Sequence, residues 1–234
     1  MTVIVRKIND IKRNMIYIHI PKCGGTTVTQ QYRKYITEND FEKFYFKRGH
    51  INYNALIKSN LLDKEFIQDS FIWTTVRNPY ALMYSFYIYK RDQPSNSTQL
   101  FRLEAKEKSF KEFTFWFLTT YYNMNQQEKI TYITDKYGRK GNINNGHDIF
   151  YGQHYWLCDD NNKLYDNIKI FKLEDYDENY DKIAENIGVT IDKKKENVFS
   201  NTVNKLYRKH YDDELKEFVY NHFKRDFELF NYEW

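Results

Sequence analysis

MIYIHIPKCGGTTVTQQY occupies residues 15–32 and changes character three times along its length. Residues 15–20 are apolar and β-branched enough to read as a buried strand, and Pro21 stops it. Gly24 and Gly25 then give a tight turn whose backbone can come close to a ligand. Thr26 and Thr27 supply N-cap chemistry for a helix expected over 27–35. Strand, glycine turn and helix start together make an anion site. The unbonded N–H groups of a first helical turn and the helix dipole favour phosphate there, and Lys22 places a full positive charge beside it.

Working outward, 41–46 is a second strand candidate that ends in Lys47, Arg48, Gly49 and His50, and 55–62 is a brief helix. SFIWTTV at 70–76 is a third strand, rich in β-branched and aromatic residues and closed by Arg77, Asn78 and Pro79. Pro79 suits a first helical turn, and 80–91 continues as a helix that is apolar on most faces. QPSNST at 93–98 is a loop, Ser109 caps a helix over 109–122, and the glycines of 136–146 mark an irregular excursion. NIKIFKL at 167–173 is the fourth strand, followed by a helix over 176–187 that Gly188 ends, a polar irregular segment at 192–201 and a last helix over 212–225. In that last helix Leu215, Phe218, Val219, His222 and Phe223 share one side. Strands alternating with helices predict an α/β fold with a central, mainly parallel sheet and helices on both faces.

A chain of 234 residues fits a single domain over 1–234 with one core. Its net charge of +4 suits an anionic ligand, whereas acids and bases interspersed through segments such as 103–111 read as solvated surface and argue against nucleic acid. Two cysteines, Cys23 and Cys158, cannot build a disulfide framework, which fits a reducing compartment. Residues 1–14 are charged and carry no apolar signal core, and no run is long enough to span a bilayer, so a soluble, cytoplasmic protein is expected.

The loop does not follow the triphosphate pattern, which sets its lysine after the glycines; here Lys22 comes first. Nor does the third strand end in a magnesium-binding acid. It ends in Arg77, and a cation at a second strand end suggests a second anion site in the same crevice, with Ser85 eight residues on. A nucleoside phosphorylated on both its 5′ and 3′ sides needs two such clamps. His147, His154 and Cys158 have a spacing that could suggest a metal, but Tyr151, Tyr155, Trp156 and Leu157 around them read as packed aromatic structure, and no metal is expected. Glu174 and Asp175 read as an ordinary cap on the helix that follows.

IHIPKCGGTT and TTVRNPYALMYSFY resemble the two cofactor motifs of the sulfotransferases that use 3′-phosphoadenosine 5′-phosphosulfate (PAPS), the carbohydrate type in particular. The resemblance implies a P-loop-like three-layer domain and PAPS as sulfuryl donor. Lys22 and the amides of Cys23, Gly24, Gly25, Thr26 and Thr27 would hold the 5′ side, and Arg77 and Ser85 the 3′-phosphate. FKRGHINY resembles the Gly-His pair of the hexuronate 2-O-sulfotransferases, which makes His50 the implied base. Those enzymes carry a second histidine where this chain has Arg48, and Arg48 and Tyr53 become acceptor contacts, the arginine suited to an acidic sugar. The second motif commonly continues Pro-Tyr-Asp-Arg, whereas Pro79 and Tyr80 are followed here by Ala81 and Leu82. KIFKLEDYDENYDKI and YDDELKEFVYNHFKRDFELFNY resemble the family's last strand and final helix, so residues 1–14 become an extension and 93–162 an acceptor-side insertion. The implied reaction is in-line sulfuryl transfer to a hydroxyl, His50 taking the proton and Lys22 steadying charge on the departing phosphate oxygen, without a metal. A P-loop small-molecule kinase and a non-catalytic nucleotide- or glycan-binding module are the alternatives.

Overall fold

A computed structural model describes residues 3–5, 13–32, 51–92, 100–137, 148–188 and 206–234. The strand candidate at 41–46, the loop at 93–98, the polar segment at 192–201 and both Arg48 and His50 lie outside the described residues. Within them four strands form one sheet in the order β1 (Val3–Val5), β2 (Met15–Ile18), β3 (Phe71–Val76), β4 (Ile168–Lys172). β2, β3 and β4 run parallel, with Tyr17 opposite Trp73 and Trp73 opposite Lys169. β1 pairs antiparallel with β2, Val3 against Tyr17, and adds an edge strand inside the stretch expected to be a bare extension.

The period of two along the strands assigns each side chain to a layer. Met15, Tyr17, Phe71 and Trp73 pack with Val28 and Tyr32 of α1 (Gly25–Tyr32) and with a helix late in the chain. Ile16, Ile18, Ile72 and Val76 face the other way, into a larger core. All four residues of β2 and all six of β3 are buried, as parallel strands covered on both sides must be. No described helix is long and apolar enough to cross a membrane.

On the larger side come α2 (Tyr53–Lys58), α3 (Lys64–Asp69), α4 (Pro79–Arg91), α5 (Leu100–Glu107) and α6 (Phe110–Phe115), the last continued by a π-helical turn, Trp116–Tyr121. Pro79 takes the first position of α4 and the Asn78 side chain accepts from the Tyr80 N–H, so the cap is asparagine rather than the proline alone. Ser109 caps α6 in a full capping box with Glu112. α2 starts two residues before the 55–62 expected, because the Asn52 side chain accepts from Ala55 N–H, and it ends four residues sooner, at Lys58. α5 and α7 (Gln126–Tyr137) have no counterpart in the expected elements. The charged stretch 103–111 hides Glu104, fully buried, which takes Lys108 at 3.0 Å, Lys136 at 2.8 Å and the Tyr132 hydroxyl at 3.0 Å. A paired carboxylate sits inward on α5, so polarity there does not mean exposure.

After β4, α8 (Tyr176–Ile187) covers the smaller core and ends at Gly188 with φ +76°, as its sequence predicts. The helix expected over 212–225 is two helices, α9 (Asp213–His222) and α10 (Lys224–Phe230), broken at Phe223. The break lets both halves face the core, Leu215 and Val219 from the first, Phe227 and Phe230 from the second.

Candidate active site

The carboxyl ends of β2 and β3 lie side by side, and everything of interest meets there. Beyond Ile18 the chain turns through Lys22 at φ +66° and Gly24 at φ +86°. A Cβ on Gly24 would stand 2.6 Å from Leu173 Cδ1, and one on Gly25 only 1.8 Å from the His19 ring. Gly24 is therefore required by its conformation, and Gly25 by the His19 ring that lies where its Cβ would go. α1 begins at Gly25 itself, so Thr26 and Thr27 belong to its first turn rather than to its cap. The first recorded backbone bond to the helix runs from Val28 N–H to Gly24 C=O at 3.2 Å, which leaves the N–H groups of Gly25, Thr26 and Thr27 ahead of it.

Carbonyls on the other side of the loop are tied down. Arg77 donates from a terminal guanidinium nitrogen to Lys22 C=O at 3.2 Å, and Thr75 Oγ1 donates to Cys23 C=O at 2.5 Å. Since the single Thr75 hydroxyl proton is used in that bond, the Tyr17 hydroxyl, 2.8 Å away, donates to Thr75. Cys23, expected to lend its amide to a ligand, gives it to Ile20 C=O at 3.2 Å, and its thiol donates to Gln153 Oε1 at 3.2 Å. Burial pushes that thiol up, so Cys23 is a neutral anchor of the loop.

Arg77 is 2% exposed at the end of β3, and burial pushes its guanidinium below the usual arginine range, partly offset by Glu174. The Lys22 ammonium is pushed down to about 8, first by burial and then by Arg77. It rests 3.8 Å from the centroid of the Tyr89 ring on α4. Ser85 lies four residues before Tyr89, hence on the same helical face, and is partly buried. Lys22, Arg77 and the Ser85 face of α4 are thus gathered around one loop. Tyr53 is not: it is 2% exposed, its hydroxyl accepts from Asn167 Nδ2 at 2.8 Å, and its ring meets Tyr165 edge-on at 4.9 Å. The expectation of Tyr53 as an acceptor contact is corrected to a core residue.

Residues that sequence inspection passes over hold this arrangement. Gln153, 1% exposed, accepts from Arg77 N–H and donates to Arg77 C=O, each at 2.7 Å, while its Oε1 also takes the Cys23 thiol. Asp226 of α10, fully buried, accepts from Gln153 N–H at 2.6 Å, His154 N–H at 2.9 Å and His154 Nδ1 at 2.7 Å. His154 is thereby occupied as the partner of a buried carboxylate. Glu174, expected as a helix cap, instead accepts from Asn78 N–H at 2.9 Å and from the Tyr232 hydroxyl at 2.8 Å, fixing the turn after Arg77. Only a glutamine two residues from a tyrosine and a lone aspartate mark these positions in sequence, and neither pattern carries a signal.

A mainly parallel α/β sheet with a cationic glycine loop at one strand end and a buried arginine at the next is an arrangement suited to an anionic ligand. The chain belongs to the sulfotransferase family, whose model matches residues 7–233, and sulfuryl transfer is the chemistry of that family. No curated protein and no solved structure matches it.

Proposed function

We propose that the protein transfers a sulfuryl group from PAPS to an acceptor hydroxyl on a carbohydrate. The observation that carries the proposal is the meeting of two cationic motifs 55 residues apart, the Arg77 guanidinium reaching the Lys22 carbonyl across adjacent strand ends. One ligand with anionic groups at both ends of a nucleoside would satisfy both. In this P-loop-like reading, Lys22 and the amides of Gly25, Thr26 and Thr27 face the 5′-phosphosulfate, and Arg77 with Ser85 faces the 3′-phosphate. The residues fit such a donor: the loop offers N–H groups and positive charge, and its carbonyls are engaged elsewhere. PAPS when bound supplies the transferable sulfuryl group. Lys22 stabilises negative charge on the leaving side, and His50 takes the acceptor proton; Arg48 grips an acidic group of the acceptor. Residues 1–234 act as one domain, with 93–162 on the acceptor side.

Adenosine 3′,5′-bisphosphate should raise the melting temperature at micromolar concentration, and ATP with magnesium should raise it less. No shift from the bisphosphate well above that concentration would refute the donor assignment. Affinity should also fall as pH rises through about 8, where Lys22 loses its proton. The sign for stability is opposite. A lysine depressed in the folded state costs stability while it is protonated, and that cost lifts between about 8 and the unfolded value of 10.5. Calorimetric titrations at pH 7 and pH 9 should show the weaker binding on the alkaline side.

A further inference from the structure

We propose that Tyr89 is a positioning residue that holds the Lys22 ammonium against the loop, oriented for the incoming anion. The proposal rests on the reading of Lys22 as a ligand of that anion. Among the described residues nothing else near Lys22 balances what acts against its charge. Its side chain is mostly out of water, and Arg77 repels it. Among the described residues no carboxylate lies within ion-pair distance of Lys22; Cys23 is the one ionisable group acting the other way, and its thiol stays neutral. The Tyr89 ring stands where a carboxylate would be expected, 3.8 Å from Lys22 Nζ by its centroid and 5.5 Å from Lys90 Nζ. The face of an aromatic ring is electronegative and attracts a partly desolvated ammonium.

A ring suits this place better than an acid. A carboxylate would neutralise Lys22 and compete with the ligand, whereas a quadrupole keeps the full positive charge available and gives way when a real anion arrives. Backbone geometry supports the assignment. Lys22 sits at φ +66°, a conformation few non-glycine residues adopt, and the turn directs its side chain to the face of α4 that carries Ser85 and Tyr89. Tyr89 is 43% exposed, unlike most rings of α4, so the core does not require it.

The test is the titration of Lys22 in the ligand-free full chain, followed by acylating the protein over a pH series and quantifying the Lys22 peptide by mass spectrometry. The wild-type midpoint should lie near 8. Tyr89→Phe should leave it in place, and Tyr89→Leu, which keeps the apolar bulk but removes the ring, should lower it by about half a pH unit, a threefold change in proton affinity. Calorimetry with adenosine 3′,5′-bisphosphate should show about fivefold weaker binding for Tyr89→Leu and none lost for Tyr89→Phe. Equal midpoints for the leucine and phenylalanine variants would overturn the role of Tyr89. Failure of the bisphosphate to bind even the wild type would overturn the donor reading instead, and the acylation midpoint would still decide Tyr89. Because the Tyr89 ring is exposed, melting temperatures of both variants should stay within a few degrees of wild type.

Discussion

Replacing Asp226 with alanine is expected to cost about 3 kcal/mol or more of folding stability, as a buried carboxylate with several donors does. Its two oxygens accept from the N–H groups of Gln153 and His154 and from His154 Nδ1, all within 2.9 Å, in a place with no exposure to solvent. Truncation leaves three donors unmatched, the Gln153 N–H buried and the two of His154 partly so. The damage should then travel, because Gln153 is the residue that binds Arg77 through both its main-chain groups and receives the Cys23 thiol. Bisphosphate affinity should therefore fall in Asp226→Ala even though Asp226 touches no ligand. Asp226→Asn should recover part of the stability, since one oxygen still accepts while the amide opposes a donor with a donor. Urea unfolding measures the first effect and calorimetry the second. A loss below about 1 kcal/mol for the alanine variant would show that the cluster is not what fixes the loop.

The contrast between Lys22 and Asp226 explains how much of the site was legible in the sequence. Lys22, Gly24, Gly25 and Arg77 act through local rules: a strand must stop, a turn must go through positive φ, a helix start must face an anion, and these leave a pattern within a dozen residues. For the same reason β2, β3 and β4, the proline at the start of α4 and the Ser109 cap are all readable. Gln153, Glu174 and Asp226 act by pairing across 73 to 96 residues, as in the Gln153–Asp226 and Asn78–Glu174 bonds. Nothing in the neighbourhood of each residue announces its partner. Polar character also misleads at α5, where buried Glu104 makes a helix facing the core look like solvated surface. Tyr53 fails differently: its tract resembles an acceptor motif, yet a tyrosine at the start of a capped helix beside a large core is drawn inward by its ring.

Arg77→Ala is expected to abolish the melting shift given by adenosine 3′,5′-bisphosphate, with affinity reduced about 100-fold or more, the usual loss for a desolvated, charge-assisted phosphate contact. Arginine here is nearly out of water, so its charge is poorly screened and its fork is fixed by the bond to Lys22 C=O. Arg77→Lys keeps a cation but loses the planar donor set, and should restore no more than a small part of the affinity. A merely structural role for Arg77 predicts the same loss of binding, so a second readout is needed. Because Arg77 helps push the Lys22 ammonium down to about 8, its removal should raise the Lys22 midpoint, while Arg77→Lys should leave it depressed. A general loosening of the loop would hydrate Lys22 alike in both variants. Loss of binding with a raised midpoint in alanine only is the signature of a shared electrostatic site; an intact bisphosphate shift in Arg77→Ala would move the 3′-phosphate clamp elsewhere in the molecule.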